Sequence, residues 1–61
     1  MKDIRKEFGL RIKEIRQIKG LSQEKLAELA DLDRTYIPGI EAGKRIVSLE
    51  IMNKLAEAIE I

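Results

Sequence analysis

The chain reads as all-α, built from four short helices, and three observations carry that reading. Aliphatic residues recur at spacings of three and four along most of its 61 residues, which puts them on single helix faces. Helix-capping residues, Ser22, Asp33 and Ser48, stand immediately before apolar runs. Helix exits follow those runs at Gly20, Asp31 and Gly43.

The first helix is predicted over residues 3–19. Ile4, Phe8, Ile12 and Ile15 form its core-facing stripe, while Arg5, Lys6, Lys13 and Gln17 fall mostly on other faces. Gly9 interrupts the pattern at about 1 kcal/mol of helix propensity relative to Ala. It either lets another helix approach closely or simply faces solvent. Gly20 ends the helix, with Lys19 set against the negative pole of the last turn.

Leu21 then turns inward and Ser22 caps a second helix over residues 23–30. Its buried face is Leu26, Ala27 and Ala30, with Leu29 partly covered, and Glu24 complements the positive end of its dipole. Asp31 is the turn residue, which accepts a left-handed backbone less easily than Gly does. Leu32 closes the core, and Asp33 caps a third helix over residues 34–41 that turns Ile37 and Ile40 inward. Short helix, tight turn and second short helix make a helix-turn-helix unit, whose second helix can enter a DNA major groove. An ordinary αα-hairpin in a small bundle has the same pattern.

Pro38 conflicts with that third helix. With Asp33 as cap it is the fifth helical residue, so it deletes the bond to the Arg34 carbonyl and crowds it, at about 3 kcal/mol. Gly39 weakens the helix again, and Ile37-Pro38-Gly39 reads as a turn signal. A short, irregular or kinked helix, ending as early as Ile37, is the expectation. After Gly43, Lys44 to Val47 form a basic loop. Ser48 then caps a last helix over residues 49–60 with Leu49, Met52, Leu55, Ala56 and Ile59 inward.

A chain of this length makes one domain with one modest core. It has no Cys and no His, which removes disulfides and thiol or imidazole metal ligands. No apolar run approaches a signal-peptide core or a membrane span, so a cytoplasmic protein with no membrane partner is expected. Net charge is +1, unevenly spread. Residues 1–30 carry eight Lys or Arg against five acids, a balance of +3, and residues 31–61 four against six, −2. The basic front half is a low-contrast electrostatic footprint for a polyanion.

Gln23, at the start of the second helix, can hold a phosphate oxygen or stand as an ordinary solvated polar residue. Arg34 and Thr35 open the third helix. There Arg can pair bidentately with guanine and the Thr methyl can touch thymine; equally, one is a surface charge and the other a first-turn residue. Lys44 and Arg45 suit phosphate contacts or a solvated loop. Arg16 and Glu41 end their helices where an ion pair would pin the third helix to the first. Catalysis finds no support, since both serines sit at helix starts and no P-loop or zinc spacing occurs. Asp31 and Asp33 already have turn and cap roles, so neither metal nor cofactor is expected.

Taken together, Phe8-Gly9 with Ile12 to Arg16, Gly20-Leu21-Ser22-Gln23, Leu26-Ala27 to Leu32, Arg34-Thr35-Tyr36-Ile37, Ile40-Glu41, Gly43-Lys44-Arg45, Ser48-Leu49 and Leu55-Ala56 cover nearly the whole chain. In that order and spacing it resembles the phage repressor and Cro type of helix-turn-helix domain, the lambda-repressor-like fold. Within that group it is most similar to controller proteins of restriction–modification systems. The resemblance implies a compact four- or five-helix domain that binds palindromic double-stranded operators as a dimer. It implies base reading by Arg34 and Thr35, a contact from Gln23 to the DNA backbone or a base, backbone contacts from Lys44 and Arg45, and an Arg16–Glu41 pair. Controller proteins usually add a fifth, dimer-building helix; four are read here.

Departures from the pattern cluster where function would lie. Asp31 stands where Gly is usual. Pro38, Ala42 and Ile46 replace polar or DNA-facing residues by apolar ones, and Leu10, Ile18, Ile51 and Ile61 add further aliphatics. So many on a small body can form a contact patch, with Ile51, Ile59, Ile61, Pro38, Ala42 and Ile46 the candidate interface of a homodimer or other homo-oligomer. The second reading is therefore a diverged or engineered helix-turn-helix scaffold that oligomerises and binds DNA weakly or not at all.

Overall fold

The computed structural model describes residues 3–60, and the described residues form four helices. Helix α1 (Ile4–Ile18) opens where the Asp3 carboxylate accepts the Arg5 amide N–H at 3.0 Å. It closes at Gly20, whose φ of 70° lets the Leu21 amide turn back to the Arg16 carbonyl at 3.0 Å. Helix α2 (Gln23–Leu29) starts from Ser22, whose hydroxyl accepts the Lys25 amide at 3.0 Å. The chain leaves it through Asp31 at φ 56°, a left-handed residue without the freedom of Gly. Helix α3 (Tyr36–Glu41) follows, and α4 (Leu49–Ile59) begins at Ser48, whose hydroxyl accepts the Ile51 amide.

The third helix begins two residues later than the expected residue 34 and runs unbroken through Pro38 and Gly39 to Glu41. Pro38 itself sets that boundary. A helix begun at Arg34 would need the amide N–H of Pro38 for the Arg34 carbonyl, and proline has none. The chain instead makes a turn in which the Tyr36 amide reaches the Asp33 carbonyl at 3.0 Å. Pro38 then becomes the third residue of α3, where an amide has no intrahelical acceptor in any case. The interior-proline penalty read from the sequence does not arise, and α3 does not stop at Ile37.

One core holds the helices together. Ile12, Leu26, Ala27, Ala30, Ile37, Ile40, Leu55 and Ile59 are buried, and Phe8, Ile15, Leu32, Tyr36, Val47, Ile51 and Ala58 pack around them. Helix α3 lies against both α1 and α2, and α4 closes against α2. The α1–α3 crossing needs Gly9. A Cβ there would lie inside the contact envelope of the Ile40 carbonyl oxygen and 2.8 Å from that of Glu41, so the close-approach alternative holds.

The apolar stripes over-reach at two helix starts. Ile4 is 78% exposed and Leu49 80%, because each opens its helix and its spacing runs on past the neighbours that would cover it. Their helices bury Ile12 in α1 and Leu55 and Ile59 in α4 instead.

Candidate nucleic-acid interface

The helix-turn-helix unit is anchored from beneath by a buried carboxylate. Glu41, at the end of α3, is only 8% exposed. Its Oε2 accepts from Arg16 Nε at 2.6 Å, and its Oε1 accepts from Arg16 Nη2 and from Gln23 Nε2, each at 3.1 Å. Arg16 spends a further N–H on the Leu21 carbonyl at 2.8 Å. One fork-shaped donor thus ties the ends of α1 and α3 to the start of α2. The hydrogen bond to Glu41 raises the pKa of Arg16 above its ordinary value, so the guanidinium stays charged.

Gln23 is therefore half-buried and engaged. One amide hydrogen of its side chain goes to Glu41, and the other remains available.

The segment before α3 is a compact polar turn. The Asp33 carboxylate accepts the Thr35 amide at 2.9 Å and the Thr35 hydroxyl at 2.8 Å. Those bonds, the backbone one first, hold Asp33 below its ordinary pKa of 3.8. Thr35 is exposed with its methyl unengaged by this network. Arg34 projects from the same turn, and its Nη1 donates to Glu24 of α2 at 3.3 Å in a pair that is exposed on both sides. Such a pair contributes little to stability and is easily exchanged for another acceptor.

Beyond α3, Lys44 and Arg45 are exposed, and among the described residues neither forms an ion pair with a carboxylate. Arg45 folds back over α3, its guanidinium carbon 4.1 Å from the centre of the Tyr36 ring. Arg34, Thr35, Lys44 and Arg45 thus flank the two ends of one short helix.

The candidate apolar contacts divide differently. Pro38, Ala42 and Ile46 are exposed, as are Leu10 and Ile18. Ile59 is fully buried in the monomer core, so it is not an interface residue: it sits on the α4 face turned toward α2. Ile51 is half-buried against the core, and Ile61 lies outside the described residues. Ile46 lines a groove of about 290 Å³ with Ile4, Phe8, Val47 and Met52.

Two residues of this surface were not singled out from the sequence. Tyr36 is the chain's one tyrosine, in a chain with one phenylalanine and no tryptophan; that scarcity beside Arg34-Thr35 was the available signal. Glu24 was read as a dipole partner, and nothing local marks its contact with Arg34, which crosses the turn.

A short helix, a left-handed turn and a second helix led in by an exposed polar turn, all pinned by a buried Arg–Glu pair, define a helix-turn-helix protein. A helix-turn-helix family model matches residues 12–61. The chain belongs to that family, and within it to the controller proteins of restriction–modification systems. It is 47% identical to control protein C.MunI of Mycoplasma sp over 62 aligned positions, covering 100% of this chain and 84% of that protein. It is also 47% identical to control protein C.BamHI of Bacillus amyloliquefaciens over 60 positions, covering 97% and 74%.

The solved structure of controller protein C.AhdI from Aeromonas hydrophila matches at TM-score 0.90 and 54% identity, over 92% of this chain and 85% of that one. The C.Esp1396I tetramer in complex with its natural 35 base-pair operator matches at TM-score 0.92 and 34% identity, over 100% and 80%. The family is one of control proteins, and the chain is not an enzyme. Among the described residues no helix is long and apolar enough to cross a membrane.

Proposed function

We propose that the chain is a transcriptional regulator that binds double-stranded DNA sequence-specifically, as a homodimer on a palindromic operator in the cytoplasm. The observation that carries this reading is the exposed Arg34-Thr35 turn leading into α3, with Lys44 and Arg45 beyond the other end of that helix, in a chain 54% identical to C.AhdI. The operator complex of C.Esp1396I supports the same class of ligand.

In this reading Arg34 exchanges its exposed bond to Glu24 for the O6 and N7 of a guanine, and the Thr35 methyl meets a thymine methyl. Lys44 and Arg45 neutralise phosphates. Gln23 donates its remaining amide hydrogen to a phosphate oxygen while Glu41 fixes its position. Pro38 lies within a continuous α3, and the turn closed by the Tyr36 amide on the Asp33 carbonyl leads directly into that helix.

Selection of bound sequences from a random duplex pool tests the reading. An enriched palindrome should emerge. Replacing Arg34 with Ala should weaken binding to it by about 1 to 3 kcal/mol and to random DNA much less. Replacing Lys44 with Ala should weaken both equally and lower the salt slope by about one unit. A pool that stays random overturns sequence-specific reading. The exposed Ile18 and Ile46 favour one other reading, a helix-turn-helix scaffold whose business is self-association; a tight oligomer indifferent to duplex DNA would establish it.

A further inference from the structure

We propose that Gly39 is a positioning residue: its missing side chain is the seat that holds Arg45 stacked on Tyr36, so that the guanidinium is ordered before it meets DNA. The role given to Arg45 rests on the DNA-binding reading above. The seat itself rests on geometry.

The other three glycines are accounted for by backbone. Gly20 and Gly43 have left-handed φ values of 70° and 73°, and Gly9 faces carbonyl oxygens of α3. Gly39 has neither reason. It stands inside α3, where glycine opposes the helix, and it has no left-handed φ. The three atoms nearest to a Cβ built on it all belong to one side chain: Arg45 Cγ at 3.1 Å, Cδ at 3.3 Å and Nε at 3.3 Å.

The stem of Arg45 therefore lies along the bare backbone of α3, and its guanidinium continues to the Tyr36 ring at 4.1 Å. Tyr36 and Gly39 are three residues apart, on one face of the helix, so ring and gap form a single track. Arg is the side chain for which such a track matters, because its flat fork stacks on an aromatic face and its long stem has many rotamers to lose. Confining it in the free protein removes part of the ordering cost of binding a phosphate. Alanine at position 39 would lift the stem by a few tenths of an ångström, and leucine would occupy the track.

The test compares wild type, G39A, G39L and R45A, and each Gly39 variant combined with R45A. Binding to a random-sequence duplex is measured by anisotropy at fixed salt, and proton spectra of the free proteins are recorded beside it. Stacking on Tyr36 should shift the Arg45 side-chain protons upfield in wild type, and that shift should shrink in G39A and be lost in G39L. Affinity should fall in the same order, reaching about 3- to 10-fold for G39L, with no further loss when Arg45 is already Ala. The melting midpoint of G39A should hold or rise, since Ala favours helix.

The proposal is overturned if G39L binds as wild type does, if it weakens the R45A protein equally, or if the Arg45 shift is unchanged. A wild-type protein that binds no duplex overturns the DNA reading instead, and the Arg45 resonances then decide the seat alone.

Discussion

Glu41 accepts three side-chain hydrogen bonds, as many as Arg16 donates. A carboxylate this buried is tolerable only when its lone pairs are filled, and here Arg16 and Gln23 fill both oxygens. Among the described residues no buried side-chain nitrogen or oxygen lacks a partner. Replacing Glu41 with Gln would set an NH₂ against the donors of Arg16, so a loss of about 3 kcal/mol is expected in denaturant melts. Coincident melts would mean that the pair does not matter. Asp33 gives a different, pH-dependent signature. Its folded pKa is depressed by the Thr35 amide and hydroxyl, so its contribution is present above the unfolded value, about pH 4, and is lost as pH falls through the lower folded one. Replacing Asp33 with Asn should therefore flatten the acid limb of the stability curve below about pH 4. An unaltered limb in a pH series of melts would assign it to other carboxylates.

At the scale of the element, α3 is decided by two residues with poor helix propensity. Pro38 costs little where it lies because no amide is needed there. Replacing Pro38 with Ser is thus expected to change stability by no more than about 0.5 kcal/mol, not to raise it by the amount an interior proline would imply. A gain near 3 kcal/mol would show that the helix truly begins at Arg34. Gly9 acts on α3 from outside. Replacing Gly9 with Ala adds a methyl against backbone carbonyls that cannot rotate away, and a loss of at least about 1 to 3 kcal/mol is expected. Thermal melts read this directly, and a stabilised variant would mean that α1 and α3 separate without penalty.

The whole molecule has a thin core and several aliphatic residues exposed on a largely charged surface. Among the described residues eight hydrophobic ones are buried, while Ile4, Leu10, Ile18, Leu29, Ile46 and Leu49 stay exposed. A domain this small gains from covering such surface with a second copy. Ile46 is 83% exposed, so replacing it with Lys should leave the monomer's own stability within about 0.5 kcal/mol and lower the apparent mass at micromolar protein if its groove is the contact. Sedimentation decides it: an unchanged oligomer moves the contact to Ile18 or Leu29, and a monomer throughout removes the free dimer.

The four helices, their caps at Ser22 and Ser48, the left-handed turn at Asp31 and the family were all legible in the sequence. Each depends on residues within a turn or two of one another, where spacing and backbone preference act locally. Whether a periodic aliphatic is covered was not legible: Ile4 and Leu49 have the right spacing, but only packed neighbours bury a side chain. The boundary of α3 depended on a balance, since the same Pro38 that forbids a helix from Arg34 is harmless in one from Tyr36, and the Asp33 turn tips it. The contacts of Gln23 with Glu41, Arg34 with Glu24 and Gly9 with the α3 carbonyls join residues far apart in the chain. They exist only because the helices cross at these particular points, and that crossing is what the tertiary structure alone decided.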